Sequence, residues 1–385
     1  MTIFCHRLSG VLKASTPLHI GSGARTGVIK HCRPFIPGSA LRGAVGTAII
    51  KAVCKLEKSL VNHESCEYFD DCVYTGLFGE EFGKASNIFF RFAYPLHLKC
   101  DSAFHPAPRT TYVCRNPQCR KEYDAFVPPD ECETCQESVR TFIGYRCQSC
   151  GHLERQPAPI SRVTLTAIDR AKVSAAQIVG EHGVSGTLHT LEVIHKGAKF
   201  GFEIVVDREF EHALGLVEAT LTRALPDEGI GGGKSRGLGK VAVEDLRVEG
   251  VDTGTIEKRA ENIDSRAFSV RLLSPMLLEG KMLEPSSLLE GARRAYSWVF
   301  HEGKPKLPEV KPEGRAVGAE MVSGWSLKTG RRRRIEPAIS SGSVFQFKCD
   351  EKNEELALAL AALEFHAVGA YKPHGCGQLI VEATR

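Results

Sequence analysis

Fourteen cysteines stand in this chain of 385 residues, and six of them fall in close pairs. Cys114 and Cys119 form C-x4-C, while Cys132 with Cys135 and Cys147 with Cys150 each form C-x2-C. Thiolates at these spacings sit on tight turns that aim both sulfurs at one point, and two such turns close a tetrahedral zinc site with no open position. YVCRNPQCRKEY and CETCQE read as the two knuckles of one ribbon, whose zinc would be structural. The third pair, CQSCGH, needs partners from elsewhere: Cys100, His105 and His152 are candidates, with Cys66 and Cys72 behind them. No three-ligand set with a neighbouring acid stands out, so the pattern offers no catalytic metal. Cys5, Cys54 and Cys349 read as small buried hydrophobes.

A second chemistry lies in two glycine-rich stretches, GIGGGKSRGLGKVAVEDLRV and GAYKPHGCGQLIVEA. They share K-x-x-G-x-G-x-[VL]-x-V, which lays Lys234, Gly237, Gly239, Val241 and Val243 over Lys372, Gly375, Gly377, Leu379 and Val381. GGGKS is not a P-loop, because Glu228 stands where that motif needs glycine and the stretch follows a helical pattern to open a strand. The dinucleotide fingerprint fails on the same order of elements. What remains is a loop of exposed amides at Gly231, Gly232, Gly233, Ser235 and Gly237, with Lys234, Arg236 and Lys240 among them and no acid from Gly229 to Val243. Amides with cationic side chains suit phosphates. The competing reading is a tight turn that binds nothing, and it weighs more on the second loop, where Lys372 is the one lysine.

The elements that carry these loops repeat. VLKASTPLHIG (11–21) and VRLLSPMLLEG (270–280) both read as strands broken at a proline, and each is followed by P-x-S-x-L-x-G-A. Pro37, Ser39, Leu41, Gly43 and Ala44 match Pro285, Ser287, Leu289, Gly291 and Ala292, and apolar helical spacing follows both. The serine or its neighbour is expected to cap the helix, leaving amides that hold an anion. Leu214, Val217, Leu221 and Leu225 form one face of a later helix, as do Leu356, Leu360 and Leu363. Strand, helix, strands, helix, glycine loop and strand is an α+β order of ferredoxin-like type. The expected organisation is a domain over 1–250, a linker over 251–265 and a related domain over 266–385. The first domain is longer because a cysteine-rich segment (about 100–155) and a hairpin (about 160–205) are inserted.

Composition fits this reading: 42% hydrophobic and 25% charged residues exclude a mainly disordered or fibrous chain. Charge is unevenly placed, with no Asp or Glu from Met1 to Leu56 against Arg7, Lys13, Arg25, Lys30, Arg33, Arg42, Lys51 and Lys55. A second basic block holds Lys328 and the run Arg331 to Arg334. One-sign blocks focus field on polyanions, although each also reads as a solvated face. Nothing approaches 18 consecutive apolar residues and MTIFCHRLSG is not a signal peptide, so a cytoplasmic location without membrane contact is expected.

FIPGSALRGA, YTGLFGEEFG, TAIDRAKVSAAQIVGEHGVSGTLHTLEVIHKGAKFGFEIVV and GGGKSRGLGKV together resemble the RAMP superfamily of CRISPR effector proteins. GWSLKTGRRRRIEPAISSGSVFQFK is similar to the hairpin region of type III RAMP subunits, and the zinc-bearing insertion resembles the double-domain subunit of type III-D. The resemblance implies two RRM-like domains on guide RNA (crRNA), a thumb hairpin near Asp169 and Arg170, and neighbouring RAMP subunits and a large palm-domain subunit as partners. The basic N-terminal block and the glycine loops suit a scaffold in which Lys234, Arg236 and Arg42 neutralise RNA phosphates, with Arg25, Lys30 and Ser39 as further candidate RNA-binding residues. Target-cleaving members carry an Asp in the loop before P-x-I-P-G-S; here GSGARTGVIKHCRP has no carboxylate, so no target cleavage by this chain is expected. Two other readings compete: a metal-independent endoribonuclease using His19 or His31, and a zinc-ribbon interaction module that binds no RNA.

Overall fold

Leu8 and Leu12, four apart on one strand, put two apolar side chains on the same face, and that face seeds the first core. The computed structural model describes residues 2–384 apart from 57–65, 80–84, 167, 170–173, 176, 181–182, 187, 279–281, 302 and 327–330. Strand β1 (Ile3–Ala14) lies between β3 (Lys199–Asp207) and β4 (Val241–Asp252), and β3 pairs outward with β2 (Ile88–Phe90), all antiparallel. The order β4-β1-β3-β2 is that of a ferredoxin-like sheet. One face is covered by α1 (Gly38–Val53) and by α2 (Leu214–Ala219), which continues through a π turn over Thr220–Ala224 and a last turn over Leu225–Glu228. Leu41, Val45 and Ile49 of α1 meet Val217, Leu221 and Leu225 over Phe90, Phe200 and Ile204. Full burial of each such side chain stabilises by about 1.5–3 kcal/mol.

The second half repeats the plan. Strand β5 (Ala267–Leu272) is followed by α4 (Pro285–Phe300), β6 (Lys311–Ala316), β7 (Val344–Lys348), α5 (Glu354–His366) and β8 (Leu379–Ala383), in sheet order β6-β7-β5-β8. Helix α5 buries Ala357, Ala359, Ala361 and Ala362 beside Leu356, Leu360 and Leu363, and Asn353 caps it by accepting from the Leu356 amide at 2.7 Å. Both halves are therefore ferredoxin-like.

The stretch expected to link the halves carries α3 (Thr253–Ala260): Asp252 caps it at the Thr255 amide, and Ile256, Ala260 and Ile263 bury at helical spacing into the second core. Two capping expectations are corrected. Ser39 does not cap α1; the capping position is Pro37, and Ser39 lies exposed within the first turn. Ser287 likewise lies inside α4, whose capping position is Glu284.

The halves meet through Phe4, edge-on to Trp298 at 5.1 Å, and through Trp298 Nε1, which donates to Asp207 at 2.9 Å. Arg271, 3% exposed, donates to Glu382 at 2.6 Å and, across to the insertion, to the Pro106 carbonyl at 3.1 Å. Breaking one partner of a buried pair costs about 3–5 kcal/mol. Arg271→Ala is therefore expected to lower the chemical-denaturation midpoint of the full chain strongly, with Arg271→Lys recovering only part of it. A midpoint within error of the parent would contradict this packing role.

Between β2 and β3 the first half carries its insertion. Thr111–Cys114 pairs with Glu122–Asp124 and Val139–Thr141, and Phe104–Pro106 pairs with Tyr145–Cys147. Ile160–Thr166 then pairs antiparallel with Leu188–Ile194, which pairs in parallel with Ile29–Cys32 of the hairpin formed with Gly21–Thr26.

Candidate nucleic-acid interface and metal centres

β1 ends at Ala14, and the residues around Pro17 become a hub. Leu18 exchanges hydrogen bonds with Ile194 at the root of the long hairpin (3.0 and 2.8 Å), the Gly232 amide donates to the His19 carbonyl (2.9 Å), and the Gly239 amide donates to that of Pro17 (3.0 Å). Glycine loop, basic hairpin Gly21–Cys32 and long hairpin are thus fixed to one another by backbone.

Within the first glycine loop, Lys234–Arg236 form a single 3-10 turn held between left-handed Gly233 (φ 76°) and Gly237 (φ 79°). A Cβ at Gly231 would stand 2.5 Å from the His19 carbonyl oxygen, and one at Gly239 2.7 Å from that of Ile230. Those glycines serve closure of the loop on its own backbone, whereas a Cβ at Gly237 would meet nothing within 4 Å. The side of the loop around Gly237 is open.

Lys234, Ser235, Arg236 and Lys240 are exposed there. Lys234 reaches Glu228 at 3.3 Å, Lys51 reaches the same carboxylate at 2.5 Å, and Lys240 lies 3.8 Å from Asp227. Burial alone would raise the Glu228 carboxyl, but Lys51 and Lys234 hold it below the usual range. Arg236 Nη1 lies 2.9 Å from His189 Nε2 on the long hairpin. Arg25 is exposed and Lys30 half-buried, opposite one another in the adjoining hairpin. Elsewhere the basic N-terminal block is partly answered: Arg7 pairs with Glu249 at 2.6 Å and Lys13 with Glu244 at 3.0 Å. Among the described residues no carboxylate pairs with Arg25, Lys30 or Arg33.

Two expected contacts are not on this face. Arg42 turns inward, donating to the Phe78 carbonyl at 2.6 Å with its guanidinium 4.8 Å above the Phe78 ring, and burial pulls it down to about 10. Lys372 stands 3.2 Å from His366 Nδ1, and burial, then Arg294, pulls it down to about 8. The second glycine loop copies the first, with a 3-10 turn Lys372–His374 capped by left-handed Gly375 (φ 88°), but a Cβ at Gly375 would stand 2.6 Å from the Phe90 carbonyl oxygen. It is packed against the first half. Asp169 lies on a two-residue strand paired with Ser174, and Arg170 falls outside the described residues. The arginine run shows Arg333 Nη1 3.1 Å from His374 Nε2, at that same packed loop.

The hub also holds a carboxylate that the loop sequence lacks. Glu192, on the long hairpin, accepts from His31 Nδ1 (3.0 Å) and the Cys32 amide (3.2 Å) and faces Arg162 at 3.5 Å. Burial would raise it, yet these three donors hold it below the usual carboxylate range. His19, 8% exposed, has Nδ1 2.7 Å from the Glu192 carbonyl oxygen. Sequence reasoning missed Glu192 because it lies 160 positions from Cys32; an acid at alternate spacing on a strand gives no signal of its own.

Two cysteine clusters can each hold a metal ion. Cys114, Cys119, Cys132 and Cys135 form the first, with Sγ–Sγ separations of 3.4 Å (Cys114–Cys135) and 3.7 Å (Cys119–Cys132). A zinc–sulfur bond of about 2.3 Å gives a tetrahedral edge of about 3.8 Å, so the donors fit zinc. The Tyr123 hydroxyl donates to Cys132 Sγ at 3.2 Å and pulls that thiol down to about 6, favouring thiolate despite burial. The second cluster joins Cys147 and Cys150 to Cys100 and to His97, which the sequence reading did not single out. H-x2-C at 97–100 was its signal. His105 is apart from it, half-buried and pulled down to about 4 by desolvation and then by Arg271, and His152 stacks on the His97 ring at 5.4 Å. Cys66 and Cys72 join neither; with Cys54 they line a small cavity beyond the end of α1.

A family model described as the RAMP superfamily matches residues 11–242, from β1 through the first glycine loop. The chain belongs to the RAMP superfamily. A second model, described as CRISPR-associated protein (Cas_Cmr3), matches residues 213–382, so the two overlap on α2 and that same loop. Among solved structures, a chain of a Cas6 product complex is similar over 98% of this RAMP chain and 100% of its own, at 9% identity and a TM-score of 0.43. A chain from the apo state of a type III-B Cmr-beta complex is similar over 63% of this chain and 96% of its own, at 15% identity and a TM-score of 0.34. No curated protein sequence matches. No helix among the described residues is long and apolar enough to cross a membrane.

Proposed function

We propose that this RAMP protein is a non-catalytic guide-RNA (crRNA) binding subunit of a type III CRISPR effector complex, seated beside other RAMP subunits and the large palm-domain subunit, with structural zinc in its insertion. The observation that carries this reading is the open first glycine loop, where Lys234, Arg236 and Lys240 stand on the same backbone hub as Arg25 and Lys30. Such a face neutralises phosphates and fixes the path of a strand without reading its bases. The matches to the RAMP and Cas_Cmr3 models support the assignment of partner class.

One observation favours a second reading, a metal-independent endoribonuclease: His31 faces the Glu192 carboxylate at 3.0 Å and the Thr26 hydroxyl at 2.8 Å, as a proton-transferring imidazole can be held. Both its nitrogens are thereby engaged within the fold, and the Glu192 carboxylate is tied to Cys32 and Arg162, which supports a structural role. CRISPR repeat RNA incubated with the purified chain and a chelator is expected to stay intact while binding. Specific cleavage abolished by His31→Ala would establish the second reading instead.

A further inference from the structure

The four ligand turns of the insertion share one backbone device. Each second ligand is followed by a residue in the left-handed region: Asp101 (φ 48°) after Cys100, Arg120 (φ 48°) after Cys119, Gln136 (φ 59°) after Cys135, and Gly151 (φ 71°) after Cys150. In three of them the amide of that residue donates to the carbonyl of the first ligand: Asp101 to His97 (2.8 Å), Gln136 to Cys132 (2.7 Å) and Gly151 to Cys147 (3.0 Å). A non-glycine residue in this region costs roughly 1–2 kcal/mol. Three such residues, each directly after a candidate ligand, give these turns one shape, which brings the two ligand atoms of each turn to the same side. The His97–Cys100 turn has the same form as the cysteine turns, and its H-x2-C spacing matches their C-x2-C.

The side chains agree. Cys100 Sγ lies 3.4 Å from Cys147 Sγ and 3.2 Å from His97 Nδ1, and Cys150 Sγ lies 3.3 Å from the same nitrogen. The sulfurs are too far apart for a disulfide and close enough for a tetrahedron. The position in the chain gives the site a role distinct from that of the first cluster. His97 and Cys100 are on the path into the ribbon, just after Tyr94 and Pro95 pair with β3, and Cys147 and Cys150 are on the path out, with Phe104–Pro106 and Tyr145–Cys147 paired beside them. Cys100 and Cys147 are 47 positions apart, and the whole four-cysteine ribbon lies between them.

We infer that His97, Cys100, Cys147 and Cys150 bind a second zinc ion, which clasps the neck of the insertion and fixes the ribbon to the first domain. The first cluster folds the ribbon, and the second holds its two ends together. Cys100 and Cys150 are exposed whereas Cys114 and Cys132 are buried, so the neck zinc is also the one that exchanges first.

The test is metal content of the full chain by native mass spectrometry, together with the absorption of a cobalt-substituted sample. Two metal ions per chain are expected, falling to one in Cys100→Ser and in Cys150→Ser, and remaining two in His97→Cys, whose cobalt spectrum shifts toward that of a second four-thiolate site. The neck role predicts that Cys100→Ser increases the rate of limited proteolysis at 98–110 and 143–155 by at least about 10-fold, while hydrogen-exchange protection at 111–141 persists. One metal in the parent chain, or two retained in Cys100→Ser, would overturn the site. Unchanged proteolysis in a one-metal Cys100→Ser chain would overturn the clasp.

Discussion

Reversing two charges, Lys234→Glu with Arg236→Glu, is expected to lower affinity for single-stranded guide RNA on the order of 100-fold or more, because charge-assisted phosphate contacts are replaced by repulsion. The logarithmic salt slope should fall by about 0.7 for each phosphate that is no longer neutralised. Both residues are exposed on a loop held by backbone, so the fold should survive the change. Lys372→Glu supplies the contrast. The second loop has the same turn, but it packs against Phe90 and Lys372 lies by His366, so reversal there should cost stability and change RNA affinity less than about 3-fold. Fluorescence anisotropy across a salt series reads both. Equal drops in affinity for the two loops would contradict the assignment of the open loop as the RNA contact.

Removing metal from the first cluster should have the second large effect. The ribbon at 111–141 buries little beyond Thr111, Cys114 and Cys132, so it lacks an apolar core of its own and depends on its crosslink. Cys132→Ser removes the sulfur that Tyr123 holds toward thiolate. The expected result is loss of one metal ion and of hydrogen-exchange protection across 111–141, by at least about 10-fold at its slowest amides. Protection in β1 and β5, which sit in the two large cores, should be unchanged. A ribbon that keeps its protection after the metal has left would contradict a structural zinc.

Much of this was legible in the chain because it lay in local pattern. The repeated K-x-x-G-x-G predicted two equivalent turns, and the structure gives both the same 3-10 turn and left-handed glycine cap. The C-x4-C and C-x2-C spacings predicted the first cluster outright. What escaped depends on packing between distant segments. Nothing near Lys372 in sequence says that its loop faces Phe90, and nothing near Arg42 says that the Phe78 carbonyl awaits it. Glu192 enters the basic hub from another strand, and Asp227 and Glu228 stand just before the glycine loop, so a face read as uniformly cationic has acids behind it. The helix inside the linking stretch went unread for a local reason: acids and glycines outweighed the Ile256, Ala260 and Ile263 spacing that marks α3.

The measurement that bears most directly on the central claim is recovery of RNA from the chain itself, purified from cells co-expressing a CRISPR array and washed at high salt, followed by sequencing. The account predicts discrete guide RNAs sharing one end in the parent chain and their loss in the Lys234→Glu, Arg236→Glu chain. Guides retained in full by that double variant, or a parent chain that neither retains nor rebinds guide RNA, would contradict it.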